Sequence, residues 1–327
     1  MLHIIDPRAQ SQELITVVAG GTGSVKLVRG LARVAAKGDD DLTVIVNVGD
    51  NIRLHGLYVC PDVDTIVYGL AGMLDEKRGW GVKGDTFSFM GQLRLAGEKP
   101  WFSLGDKDMA MHVVRTAMMK KGRTLSEVTH FFAKKYGIDA GVIVVPATDG
   151  ELETMISTTT DKGEMHLQEF WVKNRGRPGV VAVRYAGIEK ARASPEVIDA
   201  IRNSCRIIIA PGNPVSSIGP TAAIAGLRAE LVRARDRVIA VSPIIGDRPV
   251  SGPAAKYMRA VGLKSSPVGV ATFYSDFSGS LVIAKSDSDM SADIRQLGVD
   301  VHETNITMTG RQDEIRLARY LLKVGTR

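Results

Sequence analysis

The stretch Leu14-Ile-Thr-Val-Val-Ala-Gly-Gly-Thr-Gly-Ser-Val-Lys-Leu27 decides how the chain is organised. Residues 16–19 are largely apolar and β-branched, which is typical of a strand buried on both faces. Three glycines then break the strand, and apolar residues from Val25 onward recur at the spacing of a helix. This order predicts a phosphate-binding loop, because free backbone N–H groups and the dipole at a helix N-terminus both favour an anion.

The spacing of these glycines differs from that of two common nucleotide-binding motifs. Counted from Gly21 it is Gly-x-Gly-x-x-Lys, so Lys26 stands where a dinucleotide-binding loop has its third glycine. No Gly-Lys-Ser/Thr closes the stretch as in a Walker A loop. A tight turn without a ligand therefore stays an alternative. Lys26 could contact a phosphate, but we favour a place in the first helical turn with its ammonium in water, since an N-terminal cation opposes the helix dipole.

Composition and charge narrow the class of protein. The chain has 327 residues, of which 44% are hydrophobic and 24% charged, as in an ordinary globular protein. Its net charge of +6 is spread without a dense basic run, so we expect an anionic small molecule as partner and no nucleic acid. Cys60 and Cys205 form neither a disulfide framework nor a metal-type pair. With no signal-peptide core and no run long enough to cross a bilayer, a cytoplasmic protein without membrane contact is expected.

Alternating strand and helix patterns predict an α/β fold. We expect a three-layer, Rossmann-like arrangement, with a mostly parallel sheet and helices on both faces. The first part of this core covers 14–150 and the second part covers 181–327. Between them, the alternating pattern of 151–172 predicts a β-hairpin insertion or rim with a turn at 161–163, followed by a connector at 174–179 and a boundary near 180.

Three acidic residues follow the second predicted strand at 41–48. Asp50 lies at its carboxyl end, on the same sheet edge as the glycine loop, where open α/β sheets bind ligands. Asp62 and Asp64 follow a proline turn, and Asp64-Thr65 is placed to begin a helix. Three carboxylates around a phosphate loop make electrostatic sense if a divalent cation lies between them. For Asp62 and Asp64, roles as turn or capping residues are equally compatible.

Two further stretches predict ligand contacts. Ala210-Pro-Gly-Asn-Pro-Val-Ser-Ser217 is a second strand-to-loop junction, and two such junctions could bind two phosphates, or a phosphate and a sugar. The glycine-rich loop at 78–87 precedes a helix that carries Phe89. Trp80 and Phe89 are candidates for stacking on a flat ring, although a place in the core is the commoner fate of an aromatic side chain.

Taken together, these motifs resemble the 2-phospho-L-lactate transferase family. The stretches that carry the resemblance are 20–27, 47–51, 55–65, 80–87, 104–108 and 210–217. The resemblance runs from about Thr16 to the end of the chain. It implies transfer of a phosphorylated three-carbon acid from a GMP-activated diphosphate to the ribityl hydroxyl of 7,8-didemethyl-8-hydroxy-5-deazariboflavin (Fo), with release of GMP, in coenzyme F(420) biosynthesis. It also implies Mg²⁺ dependence and a homodimer.

The resemblance further implies roles for individual residues. The nucleotide-binding positions are Gly20, Gly21, Thr22, Gly23, Asn213, Ser216 and Ser217. Asp50 is implied as the catalytic residue, and either binds the metal or takes the hydroxyl proton; Asp62 and Asp64 are implied as further metal ligands. The implied contacts to the deazaflavin are Asp50, Lys83 and Phe89.

Several alternatives stay open. His55 could be a general base, although a histidine before a glycine is more often structural. A related gluconeogenesis-factor family of non-enzymatic, nucleotide-sugar-binding regulators is similar at both glycine loops, but such binding needs neither the three carboxylates nor the aromatic loop. A nicotinamide-dependent oxidoreductase is disfavoured, because the third glycine and an acidic end to the second strand are lacking. The residues that would select among phospholactyl, phosphoenolpyruvyl and phosphoglyceryl donors are not marked in the sequence.

Overall fold

The computed structural model describes residues 13–160, 163–250, 252 and 254–324. The predicted turn at 161–163 thus lies partly outside the described residues. In the described part the strands are β1 (Leu14–Ala19), β2 (Asp41–Val46), β3 (Ile52–Leu54), β4 (Leu57–Val59), β5 (Val142–Pro146), β6 (Glu153–Thr158), β7 (Glu164–His166), β8 (Val180–Ala186), β9 (Arg206–Ile209), β10 (Val238–Val241), β11 (Ile244–Ile245), β12 (Arg248–Pro249), β13 (Ser280–Ala284) and β14 (Asp300–Thr304).

Helices connect most of these strands. They are α1 (Val25–Gly38), α2 (Pro61–Leu70), α3 (Ser88–Leu95), α4 (Asp106–Lys120), α5 (Leu125–Lys135), α6 (Pro195–Asn203), α7 (Gly219–Ala223), α8 (Ala225–Arg233), α9 (Ala254–Ala260), α10 (Pro267–Tyr274), α11 (Ser291–Gln296) and α12 (Arg311–Lys323). Two π-helical turns cover Glu169–Lys173 and Pro214–Ile218, and two 3₁₀ turns cover Arg235–Arg237 and Lys285–Met290.

Seven parallel strands form the central sheet of the described residues, in the order β14-β13-β10-β9-β1-β2-β5. From β1 the chain proceeds through β2 to β5 on one side, and it later returns to β9 and continues outward on the other side. This is the doubly wound order of Rossmann folds, extended by one strand. The strand order reverses between β1 and β9, where ligands bind in such sheets. The predicted α/β, Rossmann-like fold is therefore confirmed.

Helices cover both faces of the sheet. On one face α1 packs against α2 and α12, while α6 packs against α8 and β1. Right-handed crossovers place these two groups on opposite faces, because the chain moves along the sheet in opposite directions from β1 and from β9. Strands β1, β2, β9, β10 and β13 are almost entirely buried, as their apolar runs predict.

Local end signals explain several helix boundaries. Thr124 and Glu127 form a capping box at the start of α5, and Ser194 caps α6 with Pro195 at its first position. The start of α2 differs from the prediction: the helix begins at Pro61 and not at Asp64, because proline fits the first helical turn. Asp62 and Asp64 therefore both lie on the helix.

The predicted hairpin insertion is more elaborate than its sequence suggested. β6 pairs with β7 as expected, but β8 adds a third antiparallel strand on the other side of β6. The segment after β7 is a π-helical turn and not a continued strand, because Phe170 packs into the main core. The division of the chain at 150 and 180 stays a prediction, although β8 starts at the second of these positions.

The close packing of α1 against α12 can be tested by mutation. A Cβ atom on Gly30 in α1 would lie 2.3 Å from the Glu314 carbonyl oxygen in α12. Gly30→Ala should therefore destabilise the protein by about 1–3 kcal/mol in urea unfolding, because the two helices must move apart. Gly226→Ala in α8 is the matched control, since its Cβ would meet only Ile198 at 3.8 Å. Equal stability of the two variants would show that α1 and α12 are not packed this closely.

Candidate active site

Two loops meet where the strand order reverses. The glycine loop follows β1, and the loop that contains Asn213 follows β9. A Cβ atom on Gly20 would lie 2.6 Å from Cβ of Ser217, so the loops touch and only a glycine fits there. The Asn213 side-chain oxygen accepts hydrogen bonds from the N–H groups of Val215 and Ser216, at 3.0 and 3.3 Å. The nucleotide-binding positions implied by the resemblance thus come from two distant segments that share one crevice.

Asp62 packs directly under the glycine loop. A Cβ atom on Gly21 would lie 2.3 Å from Asp62 Oδ1, so a side chain there would displace the carboxylate. Gly20 N–H donates to Ser24 Oγ at 3.0 Å, which holds the loop against the start of α1. Thr22 Oγ1 donates to the Gly79 carbonyl at 3.2 Å and joins the loop to the predicted aromatic stretch. The glycine loop therefore packs against the Asp62 carboxylate as well as against the space proposed for a ligand.

One amide group connects the two carboxylates at this edge. Asn47 Nδ2 lies 3.1 Å from Asp50 Oδ1 and 2.9 Å from Asp62 Oδ2. Gln168, which precedes the π-helical turn of the insertion, donates its Nε2 hydrogen to Asp50 Oδ2 at 3.3 Å. Asp50 and Asp62 are both buried, with exposed fractions of 9% and 8%. The structure thus brings Asp50 and Asp62 together, as the sequence predicts.

The pair carries electrostatic strain. Burial, and then the charge of Asp62, raise the pKa of Asp50 well above its usual range, while the Asn47 hydrogen bond lowers it. Burial raises the pKa of Asp62 to about 6 against hydrogen bonds from Asn47 and Gly21. Among the ion pairs of the described residues, none joins a basic side chain to either carboxylate. Two adjacent buried carboxylates without a counter-charge are a donor set that suits a hard divalent cation.

Asp64 lies in a different set of contacts. The Arg115 guanidinium donates to both of its oxygens, with Nη1 at 3.1 Å from Oδ2 and Nη2 closer still to Oδ1. One atom each of Asp64, Asp108 and His112 lie within 4.8 Å of one another, a spacing that could hold a metal ion. Asp108 stands one helical turn before His112 on α4, so the two side chains lie on the same face of the helix. Arg115 already supplies positive charge to Asp64, so this cluster suits a cation less well than the Asp50–Asp62 pair.

A cavity of about 290 Å³ opens between these carboxylates and the aromatic loop. Asp50 and Gln168 line it, as do Asp64, Asp108 and His112. Much of its remaining lining is apolar or aromatic and comes from four separate segments, namely Val59, Pro61, Trp80, Phe102, Trp171 and Val172. Apolar walls with a few polar groups are typical of a site for a flat organic molecule. Asp50, which shares the Asn47 amide with Asp62 under the glycine loop, thus lines a ring-sized space.

The chain matches a known family over most of its length. The family model described as 2-phospho-L-lactate transferase CofD covers residues 15–312. The chain belongs to the 2-phospho-L-lactate transferase family. Its glycine loop, carboxylate pair and cavity all lie within the matched residues.

Curated relatives carry two names. A 2-phospho-L-lactate transferase from Methanothermobacter thermautotrophicus is 40% identical over 311 residues, which are 95% of this chain and 98% of the relative. A phosphoenolpyruvate transferase from Streptomyces coelicolor is 39% identical over 312 residues, which are 94% of this chain and 97% of the relative. A crystal structure of a UPF0052 family member from Bacillus halodurans superposes on this chain with a TM-score of 0.62 and 13% sequence identity. The superposition includes 95% of this chain and 99% of that structure. That last likeness shows a shared fold only.

Some residues implied by the family resemblance lie away from the cavity. Lys83 is exposed, and its backbone N–H donates to the Met73 carbonyl. Phe89 packs on a small second core around Met90 and does not line the cavity. Contacts of Lys83 and Phe89 with a deazaflavin therefore stay predictions, whereas Trp80 lines the cavity. Among the described helices, none is both long and apolar enough to cross a membrane.

His55 and Lys26 have structural contacts. His55 and Gly56, with φ of 50° and 78°, form the two-residue turn between β3 and β4, and the His55 side chain is exposed. Positive φ at both positions is what a tight hairpin of this kind requires. Lys26 Nζ donates to the Met308 carbonyl at 2.8 Å. The turn position of His55 favours its structural role. Lys26 lies in the first turn of α1 as expected, but its ammonium bonds a carbonyl of another segment and does not lie only in water.

Other residues of the site carry no motif in the sequence. Gln168, Trp171 and Phe102 reach the cavity from the insertion and from the loop before α4. Asn47 follows β2, where the end of a strand at the ligand-binding edge is a general signal. For Gln168, Trp171 and Phe102 no local pattern was available, because only the three-dimensional fold brings these segments together.

The Asp62 environment predicts how stability depends on pH. The pKa of about 6 exceeds the ordinary value of 3.8, so Asp62 binds its proton more tightly in the folded than in the unfolded protein. In EDTA the ionised group therefore destabilises the fold above pH 6, and this loss disappears as the pH falls through 6 towards 3.8. Thermal unfolding should show wild type gaining stability relative to Asp62→Asn as the pH is lowered from about 7 to 5. The exposed Asp39→Asn is the control.

Divalent cations should reverse this trend. A carboxylate must be deprotonated to bind a metal, so Mg²⁺ should raise the Tm of wild type at about pH 7.5 and much less at about pH 5. Asp62→Asn should lose the Mg²⁺ effect, and Asp39→Asn should retain it. Indistinguishable pH profiles for wild type and Asp62→Asn, with and without Mg²⁺, would contradict a strained carboxylate pair.

Proposed function

We propose that this chain transfers a phosphorylated three-carbon acid from its GMP-activated diphosphate to the ribityl hydroxyl of Fo, with release of GMP. The observation that carries the proposal is the position of Asp50. Its carboxylate shares an amide with Asp62 under the glycine loop and also lines the cavity. Family membership gives the chemistry, and this geometry offers a place where a diphosphate and a ring-bearing alcohol can meet.

The phosphate groups fit the crevice between the two loops. Backbone N–H groups at the start of α1 and in the turn after Asn213 favour anionic oxygens. The Asn213 Nδ2 group is buried and has no hydrogen-bond acceptor among the described residues. A buried donor without a partner costs free energy, so an oxygen of the nucleotide would relieve it. We assign Gly20–Gly23, Asn213, Ser216 and Ser217 to nucleotide binding on these grounds.

The family implies Mg²⁺, and the residues present fit it. Asp50 and Asp62 would hold the ion, because they are buried oxygen donors without a basic partner. A bound divalent cation supplies positive charge to the diphosphate oxygens as the transferring phosphoryl group develops charge. For Asp64, the ion pair with Arg115 supports a positioning role more than a role as ligand.

The reaction is an in-line displacement. The ribityl oxygen forms a bond to the phosphorus that bears the acid, the bond from that phosphorus to the GMP oxygen breaks, and the hydroxyl proton leaves the attacking oxygen. A raised pKa makes Asp50 a stronger base than an exposed aspartate, so it could take this proton when no cation occupies the pair. Binding of a cation and acceptance of the proton stay alternatives for Asp50.

From the family resemblance we also propose that the protein is cytoplasmic and forms a homodimer.

An Asp50→Asn variant tests the assignment. Turnover should fall by at least about 1,000-fold, since the amide can neither accept the proton nor carry the negative charge that holds a cation. Binding of GDP, followed by calorimetry, should stay within about threefold of wild type, because the backbone donors are unchanged. Asp236→Asn, at the opposite edge of the sheet, is the control. Near-wild-type turnover in Asp50→Asn would remove this residue from the mechanism.

A product assay identifies the donor. Wild-type protein is incubated with Fo, Mg²⁺ and one of the three guanylylated acids, and products are weighed by mass spectrometry. We expect a phosphodiester of Fo together with an equal amount of GMP for at least one donor. Failure with all three donors, combined with tight binding of a UDP-sugar, would favour the regulator family over a transferase.

A further inference from the structure

The cavity extends along α2 away from the carboxylate pair. Pro61, Thr65 and Tyr68 line it in that order, and seven helical residues span about 10 Å. The Tyr68 hydroxyl donates to Asp108 Oδ1 at 2.7 Å, and His112 stands one turn further along α4. Asp108 and His112 cluster with Asp64. They form a second polar region of the same cavity, separate from the contacts that Asn47 makes with Asp50 and Asp62.

The contacts of His112 assign a role to each of its ring nitrogens. Arg115 Nη1 is 3.3 Å from His112 Nδ1, and a guanidinium only donates hydrogen bonds. When His112 Nδ1 accepts this bond, Nε2 is the N–H donor of the ring. The nearest carboxylate oxygen to this nitrogen is Asp108 Oδ1, at 3.4 Å and already bonded to Tyr68.

His112 Nε2 is an unsatisfied donor. It is buried and makes no hydrogen bond within the described part of the chain, and the residue is only 1% exposed. Buried polar groups are nearly always paired in folded proteins, so an unpaired one on a cavity wall points to a ligand atom. At this place the cavity thus offers one N–H donor beside one carboxylate. The rest of the lining combines apolar side chains with polar ones such as Ser103 and Gln168.

A hydroxyl group matches this arrangement. It accepts one hydrogen bond and donates one, whereas the imide edge of a pyrimidinedione presents two carbonyl acceptors that would need further donors. We propose that His112, together with Asp108, binds the 8-hydroxyl group of Fo and thereby selects the hydroxylated deazaflavin as acceptor. This inference rests on the proposed function, since it takes Fo as the occupant of the cavity.

Selectivity for the hydroxylated ring would follow from the free-energy cost of leaving the His112 N–H without a hydrogen-bond acceptor. An acceptor with hydrogen or methyl at this ring position would enter the cavity but leave the His112 N–H buried and unpaired. Sites built to bond a hydroxyl group reject analogues that lack it much more strongly than an apolar pocket rejects an altered alkyl group. His112 would then be a specificity residue that touches the ring of the substrate and not the phosphorus where bonds change.

A binding experiment tests the assignment without turnover. Fo and its analogue with hydrogen in place of the 8-hydroxyl are titrated into wild type and variants, in the presence of GDP and Mg²⁺, and followed by fluorescence. Wild type should bind Fo roughly 10- to 100-fold more tightly than the analogue. His112→Phe should bring this ratio to within about threefold, chiefly by weakening Fo, because the phenyl ring keeps the volume and removes the donor.

Further variants separate recognition from folding. His112→Gln keeps an N–H donor near the Nε2 position and should retain most of the ratio, and the half-exposed His130→Phe on α5 should retain all of it. If His112→Phe does not fold, the ratio of wild type and of His112→Gln decides the question. A wild-type ratio near one, or an equal loss of both ligands in His112→Phe, would overturn the assignment of His112 alone. No binding of Fo by wild type would overturn the proposed function as well.

Discussion

The site depends on two carboxylates that are buried side by side and share one amide donor. Asn47 holds Asp50 and Asp62 together at 3.1 and 2.9 Å, and in the described residues no basic side chain offsets their charge. Two like charges in a buried place cannot both ionise cheaply, so each raises the proton affinity of the other. Without a bound cation, the pair therefore favours binding a proton. A divalent cation would replace that proton and offset both negative charges. In the proposed reaction the nucleotide, the cation and the acceptor would all bind next to this pair.

The antiparallel insertion stabilises this arrangement from outside the main sheet. Thr154 N–H of β6 donates to the Gly49 carbonyl at 2.7 Å, and the Tyr185 hydroxyl of β8 donates to the Val215 carbonyl in the loop after β9. Gln168 of the same insertion bonds Asp50 at 3.3 Å. One small sheet thus fixes the loop after β2, the loop after β9 and the carboxylate between them. Without it, both crevice loops would depend only on their own turns.

The sequence predicts those parts of the site that depend on local patterns. The glycine loop, Asp50 at the end of β2 and the Asn213 loop were all identified, because strand ends and glycine turns are visible within about ten residues. The α/β fold followed from the same alternation. Gln168 and Trp171 could not be found in this way, because only the folding of the insertion brings them to the cavity. Gln168, for example, is 118 residues away from Asp50 in the sequence. The Asp64–Arg115 pair, separated by 51 residues, was missed for the same reason.

The grouping of Asp62 with Asp64 shows how local structure decides chemistry. In an extended chain residues i and i+2 point to the same face, so the two carboxylates could share one ion. On a helix they point about 200° apart, and Pro61 makes this segment a helix from its first residue. Asp62 consequently faces Asn47 and the glycine loop, whereas Asp64 faces Arg115 and His112. One turn of α2 therefore divides the acidic residues between the end of the cavity where phosphate transfer is proposed and the end where the ring would be recognised.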